Sequence, residues 1–134
     1  MRVELVPVHA IDGLWPKLAD GFHDALMKTG GDCSAGDLWT QARAGSAFLF
    51  VAHDGTEMHG ASLFRFENWP TGTRFRNLAV FGNNMADWYD LMKAEAMKAA
   101  KAGGATMYAA EGRPGWARKE RGAKVLRYLY EVPV

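Results

Sequence analysis

The sequence has one cysteine and no long apolar run, and these two features exclude several kinds of site and several classes of protein. Cys33 has no second thiol with which to form an intramolecular disulfide or a zinc or iron–sulfur site. No segment approaches the roughly 20 apolar residues of a transmembrane helix, and residues 1–8 lack the apolar run of a signal peptide. We therefore expect a cytoplasmic protein with no membrane partner.

An excess of charge of one sign is also missing. The formal net charge of +1 argues against a dedicated nucleic-acid partner. The exception is the segment from Arg113 to Arg127, in which Glu120 is the only acidic residue and the basic residues are Arg113, Arg118, Lys119, Arg121, Lys124 and Arg127. This segment either binds an anionic partner or forms a solvated helix face.

Metal and nucleotide motifs are absent as well. The four histidines show no ligand spacing, so we predict no metal site. The sequence contains no Walker loop, no Gly-x-Ser-x-Gly elbow and no His-Glu-x-x-His. What the chain does have is apolar area: 49% of its 134 residues are hydrophobic, which predicts one α/β domain over residues 1–134 with one core.

The first half predicts a strand over residues 2–8, two helices and a three-stranded meander. Apolar residues recur at helical spacing after Asp12, at Leu14, Trp15, Leu18, Phe22 and Leu26. Ser34 or Asp37 can cap a short second helix that ends at Gly45. Strands over 47–52, 60–67 and 73–80 are joined by turn signals that are too short for a crossover.

The second half predicts a helical crossover into a parallel strand. The long helix should run over residues 85–101, with Asn84 and Asp87 forming a capping box. The strand over 106–111 should lie parallel to the one before the helix. A short helix from Pro114 to Arg121 and a final strand from Lys124 to Val132 complete a mixed sheet of about six strands.

This order of elements resembles that of the GCN5-related N-acetyltransferase (GNAT) superfamily. The segments from Leu78 to Trp88 and from Glu111 to Ala123, with its Gly-Arg-Pro-Gly-Trp element, look like small GNAT-like proteins of tailed phages. The resemblance covers nearly the whole chain from Val3. It implies a GNAT-like α+β fold, acetyl-CoA as cofactor, and acetyl transfer to an amine of a small molecule or a protein.

The resemblance also implies where acetyl-CoA would bind. The pantetheine arm would follow the backbone of Leu78 and Val80, and the pyrophosphate would lie on the loop Gly82, Asn83 and Asn84, helped by Arg113. Trp116 either covers this groove or anchors its helix. The loop departs from the usual glycine-rich pattern and the long helix carries Asp87 near its start, so a tight turn is the alternative role for the loop.

Acetyl transfer needs a base and an acid. Glu67 is the candidate base, and the alternative is a solvated carboxylate at a strand end. Tyr108 and Tyr128 are the candidate acids, with Tyr130 also available, and the alternative is a tyrosine at the edge of the core.

A second functional hypothesis is a catalytically inactive GNAT-fold phage protein that acts as an interaction or assembly factor in the host cytoplasm. The departures in the loop and the shortened C-terminus motivate it, because GNAT proteins commonly end in two strands. A homodimer is among the partners that the resemblance allows. Nucleic-acid binding through residues 113–127 is a third hypothesis, and it should weaken steeply with salt.

Overall fold

The structure is a computed structural model that describes all residues, 1–134. Its strands and α-helices follow in the order β1 (Arg2–Leu5), α1 (Ile11–Lys28), α2 (Ala35–Arg43), β2 (Phe48–His53), β3 (Met58–Trp69), β4 (Gly72–Gly82), α3 (Tyr89–Ala102), β5 (Met107–Ala110) and α4 (Pro114–Lys119). Short 3-10 turns precede α1 and α3, at Val8–Ala10 and Met85–Asp87. None of the helices is long and apolar enough to cross a membrane.

The strands form one sheet in the order β1-β2-β3-β4-β5. The first three pairings are antiparallel and the last, β4 with β5, is parallel, so the predicted mixed sheet is confirmed. The strand count is five rather than about six. The predicted final strand over Lys124–Val132 is wrong, because this segment has no strand partner in the chain.

Each face of the sheet has its own apolar core. On one face α1 and α2 cover β2 and β3, and the predicted stripe of α1 is buried there at Trp15, Leu18, Phe22 and Leu26. On the other face α3 covers Phe50, Phe64 and Phe75. Two layers of helix around a sheet bury both of its surfaces, as an α+β domain of this length requires.

The two helix caps that we predicted have different outcomes. The Ser34 hydroxyl accepts the backbone N–H of Asp37, so Ser34 is confirmed as the cap of α2. The Asp37 carboxylate also accepts the backbone N–H of Ser34, which completes a capping box that we did not predict. The box at Asn84 and Asp87 is wrong: Asn84 has a φ of 52° and its side chain caps nothing.

The long helix consequently begins at Tyr89, four residues later than predicted. The reason is Trp88, which is fully buried and whose indole Nε1 donates to the Asn83 carbonyl at 2.8 Å. Burying this ring holds residues 85–88 in a tighter turn with Trp88 outside the helical region, at φ −136°. Tertiary packing here overrides the local helical pattern.

Candidate functional site

The sheet opens between β4 and β5. The two strands pair only from Arg74 with Met107 to Asn77 with Ala110, whereas β4 continues to Gly82. Residues 78–82 therefore have β3 as their neighbour on one side and no strand on the other. Unpaired main-chain N–H and C=O groups at such an edge are available to an extended ligand.

A β-bulge lies at the point where the strands part. Leu63 of β3 faces Ala79 and the next residue, Phe64, faces Asn77, so Leu78 is an extra residue in β4. A bulge bends its strand and increases the local twist. The bend begins directly after the last pairing with β5, which accounts for the opening.

Two buried polar residues hold this bulge. The Ser62 hydroxyl donates to the Ala79 carbonyl at 3.2 Å, and the Asn77 amide donates to Ser62 Oγ at 3.1 Å. Both side chains lie inside the sheet, on the face covered by α3. Because buried polar groups are costly without partners, these bonds tie the bend to one backbone geometry.

Tyr108 on β5 reaches the same cluster. The Asn77 amide lies 3.3 Å from its hydroxyl, and the hydroxyl of Tyr89 from α3 is a second polar neighbour. Burial raises the pKa of Tyr108, although the bond from Asn77 opposes that rise. Tyr108 is therefore a protonated phenol at neutral pH, which can act as a general acid but not as a general base.

The cluster continues to α4 through Glu120. Its carboxylate accepts the hydroxyl of Tyr89 and the ammonium of Lys93. Burial, followed by the hydrogen bond to this carboxylate, raises the pKa of Tyr89. Glu120 itself loses solvation, which would raise its pKa, but Lys93 and Tyr89 outweigh this and lower it. The result is a chain of polar groups from Ser62 to Lys93 below the opening.

The loop that leads into α3 is shaped by close packing. A Cβ atom on Gly82, whose φ is +152°, would lie 2.4 Å from the His59 carbonyl oxygen and 2.6 Å from the Gly60 Cα. Only glycine at position 82 allows β3 and Trp88 to lie this close to the end of β4. This agrees with the alternative role of the loop as a tight turn. No side chain caps the start of α3, but Asp90 lies in its first turn and the 3-10 turn Met85–Asp87 separates it from Asn83 and Asn84.

Arg113 and Trp116 lie on the other side of the opening. Arg113 directly precedes α4, is exposed and forms no ion pair. The ring of Trp116 packs 5.3 Å from that of Tyr89, and the Lys119 ammonium lies over both rings. Trp116 therefore anchors α4 to the start of α3, and this places Arg113 at the end of β5.

Glu67 lies elsewhere. Its carboxylate accepts from Arg65 Nε at 2.7 Å, Trp69 Nε1 at 3.0 Å and Arg76 Nη1 at 3.3 Å. Burial would raise the pKa of Glu67, but the bonds from Trp69 and Arg65 and the charge of Arg76 together lower it. The group is an ionised centre of an ion-pair network and not a solvated strand-end carboxylate.

The three predicted catalytic side chains are not brought together. Glu67 faces α1 and α2, as shown by the bond from Arg65 to Gln41, whereas its neighbour Phe66 packs on the α3 face together with Tyr108. Tyr128 is 81% exposed on the C-terminal segment, residues 123–134, which follows α4. Only Tyr108 lies in the polar cluster at the opening.

We expect the ion pairs of Glu67 to make stability fall in acid. A carboxylate whose pKa is lowered on folding stabilises the protein above its unfolded pKa of about 4.3, and the contribution is lost as the pH falls through the folded value. Glu67→Gln should cost about 1–2 kcal/mol at pH 7 and much less at pH 3. Denaturant titrations at both pH values measure this.

The matched control is Glu57→Gln, which changes an exposed carboxylate without an ion pair in the β2–β3 turn. Its stability should follow the wild type at both pH values. An equal loss for Glu67→Gln at pH 7 and pH 3 would show that the ionised network does not form.

Sequence reasoning missed most of the polar cluster, namely Ser62, Asn77, Tyr89, Lys93 and Glu120. Two of them could have been found from the sequence, because Ser62 and Asn77 lie within predicted strands among apolar residues. A polar residue that is buried at such a position usually has a specific partner or role. For Glu120 and Lys93 no local pattern indicates that they meet, because they are 27 positions apart in the chain.

No protein-family profile matches this sequence, and neither does any curated protein. Several solved structures match its fold. One is a probable acetyltransferase (TM-score 0.70, 13% identity, covering 100% of this chain and 98% of that one). Another is a GNAT family acetyltransferase of Staphylococcus aureus (TM-score 0.66, 12% identity, 98% and 100%).

A third solved structure is a predicted acetyltransferase with acetyl-CoA from Clostridium acetobutylicum (TM-score 0.67, 12% identity, covering 98% of this chain and 95% of that one). The structural similarity extends over the full length of the chain and establishes the fold, whereas the sequence identity is low. The chain has the GNAT fold, as the element order predicted.

Proposed function

We propose that this protein binds acetyl-CoA in the opening between β4 and β5 and transfers the acetyl group to an amine of a small molecule or a protein. The observation that carries the proposal is the separation of two parallel strands at the Leu78 bulge within a GNAT fold. The separation leaves main-chain groups of one strand without a partner in the place where the neighbouring strand would continue.

The residues around the opening fit such a ligand. The backbone of Leu78 and Val80 offers hydrogen bonds to the amides of an extended pantetheine arm. The turn that leads into α3 offers the N–H and the uncommitted side chain of Asn84 to a pyrophosphate, whereas the Asn83 N–H is taken by the His59 carbonyl at 2.8 Å. Arg113 is an unpaired cation that can reach an anionic group. The chemistry acetyl-CoA supplies is an activated thioester.

The amine nitrogen attacks the thioester carbonyl, so that a C–N bond forms and the C–S bond breaks. In this scheme Tyr108 gives its proton to the departing thiolate and regains one from solvent before the next turnover. Its hydroxyl lies in the polar cluster below the opening and stays protonated at neutral pH, which supports this role. The proton of the attacking amine passes to solvent in this scheme. Glu67, engaged by three donors on the opposite face, supports the fold instead.

Calorimetry with acetyl-CoA tests the proposal. We expect saturable binding to the wild type and about fivefold to tenfold weaker binding to Arg113→Ala, since one charge-assisted contact is lost. Arg43→Ala is the matched control, because Arg43 is a half-exposed arginine on α2 that pairs with Asp12. No heat at millimolar acetyl-CoA would contradict the proposal.

The second candidate, an interaction or assembly factor without catalysis, has an observation of its own. The C-terminal segment exposes apolar side chains that no part of the chain covers. Release of free CoA thiol from acetyl-CoA in the presence of an amine separates the two candidates. Turnover would support the enzyme, and binding without turnover would support the interaction factor.

A further inference from the structure

Glu111 lies at the rim of the opening, where β5 ends. Ala110 is the last residue of β5 that pairs with β4, opposite Asn77, and Glu111 follows it directly. The side chain of Glu111 is exposed. A molecule that enters the opening from solvent can therefore reach this carboxylate.

Glu111 and Tyr108 lie on opposite faces of the sheet. Tyr108 packs with the side chains under α3. Successive side chains of a strand alternate between the two faces, so a residue three positions later projects to the other side. The contacts agree, because the Glu111 carboxylate accepts from Arg76, whose guanidinium also bonds Glu67 on the α1 and α2 face. The opening thus has a phenol on one side and a carboxylate on the other.

The two sides of the opening differ in their access to solvent. Below it, Tyr108 packs against the α3 core, and the rings of Tyr89 and Trp116 join α3 to α4 at a distance of 5.3 Å. On the other face the side chains next to the opening are charged and partly exposed, with 20% of Arg76 and 42% of Glu111 in contact with solvent. An amine that approaches an acyl group in the opening therefore passes Glu111.

A series of ion pairs holds this carboxylate in place. Arg76 Nη2 donates to Glu111 Oε1, and Arg76 Nη1 lies 3.3 Å from both carboxylate oxygens of Glu67. Glu67 is fixed in turn by Arg65 and Trp69. The second oxygen of Glu111, Oε2, accepts no hydrogen bond from the chain. The carboxylate thus has one anchored oxygen and one free oxygen.

We infer that Glu111 is the base of the proposed acetyl transfer: its free oxygen binds the acceptor amine and takes the proton that the nitrogen loses as the C–N bond forms. The inference rests on the proposed function and names the group that carries this proton towards solvent. On the other face Tyr108 supplies a proton to the sulfur as the C–S bond breaks. Glu111 then releases its proton to solvent and Tyr108 regains one, so both groups return to their starting states.

Glu67 becomes a positioning residue in this arrangement. Arg76 lies between the carboxylates of Glu67 and Glu111 and bonds both. Without Glu67, the guanidinium would be free to form a bidentate pair with Glu111, which is the preferred geometry of an arginine with a carboxylate. Both oxygens of Glu111 would then be occupied. Glu67 therefore keeps one oxygen of Glu111 available to the amine without touching the substrate.

Steady-state kinetics with acetyl-CoA test the inference, with alkyl amines, amino acids and a lysine-containing peptide as acceptor probes. Glu111→Gln should lower kcat/KM for the amine by roughly 10²-fold, the lower end of the usual contribution of a general base. The Kd of acetyl-CoA, measured by calorimetry, should stay the same. Glu57→Gln is the matched control, because Glu57 is an exposed carboxylate in the β2–β3 turn that forms no ion pair.

Chemical rescue separates a base from a structural carboxylate. Glu111→Ala leaves space for a small carboxylate, so added formate should raise its kcat/KM in proportion to the formate concentration. Chloride at the same ionic strength should not. Equal rates in formate and chloride would overturn the assignment of Glu111 as the base.

A double-mutant cycle tests the positioning role of Glu67. Glu67→Gln should lower kcat/KM for the amine roughly threefold to tenfold, and it should have no further effect in the Glu111→Gln background, because residues that act through one another are not additive. The same factor in both backgrounds would overturn this role, since it is the result expected of a residue that only stabilises the fold.

Failure of the inference and failure of the proposed function give different results. Turnover that is equal in Glu111→Gln and the wild type would overturn the inference and leave the proposed function intact. A wild type that binds no acetyl-CoA, or that binds it without turnover, would overturn both.

Discussion

Replacing Gly82 with alanine is expected to lower the free energy of unfolding by about 3 kcal/mol or more. The new Cβ would lie 2.4 Å from the His59 carbonyl oxygen, and the Cα of Gly60 is 2.6 Å away, so two backbone segments would have to separate. The ring of Trp88, also 2.6 Å away, is fully buried and cannot yield without disturbing the α3 core. Urea unfolding measures the change.

Gly13→Ala is the control for that experiment. Gly13 lies in α1, and an added Cβ would meet no atom within 4 Å. Alanine should stabilise the helix there by about 0.5–1 kcal/mol. Equal stability of Gly82→Ala and the wild type would mean that β3 and Trp88 do not approach the end of β4 in the way described.

The substitution Tyr108→Phe, which removes only the hydroxyl oxygen, should reduce the kcat of acetyl transfer by roughly 10²–10⁴-fold, the usual contribution of a positioned general acid. The ring of Tyr108→Phe can keep its packing against Phe64, 6.1 Å away, and the Asn77 amide keeps its bond to Ser62. Binding of acetyl-CoA should therefore change little. A thiol-release assay with calorimetry alongside separates the two quantities.

The control for Tyr108→Phe is Tyr130→Phe, which removes the same atom from an exposed tyrosine on the C-terminal segment. Its kcat should equal that of the wild type. An unchanged kcat in Tyr108→Phe would remove this residue from the scheme, whereas loss of acetyl-CoA binding would assign it a structural role.

Local patterns were sufficient wherever the deciding contacts are close in sequence. The stripe of α1 and the cap of α2 by Ser34 depend on residues three or four apart, and both were predicted correctly. The parallel pairing of β5 followed from the helical crossover. The fold could thus be inferred from the order of elements.

The predictions that were wrong or incomplete depend on contacts between distant parts of the chain. The start of α3 is set by the burial of Trp88 against β3 and β4 and not by Asn84. The environment of Glu67 comes from Arg76 on the next strand. A strand pattern at Lys124–Val132 does not reveal whether a partner strand exists in the same chain. The resemblance to the GNAT superfamily therefore implied the opening, but only Tyr108 of its polar lining was named from the sequence.

The extra residue at Leu78 also reverses the phase of β4. Before it, the odd-numbered residues Phe75 and Asn77 face α3; after it, the even-numbered Val80 does, while Ala79 and Phe81 face α1. Losing that one residue would carry every later side chain of β4 across the sheet. An insertion or deletion at this point would therefore move Ala79, Val80 and Phe81 to the wrong cores and not merely change the length of the strand.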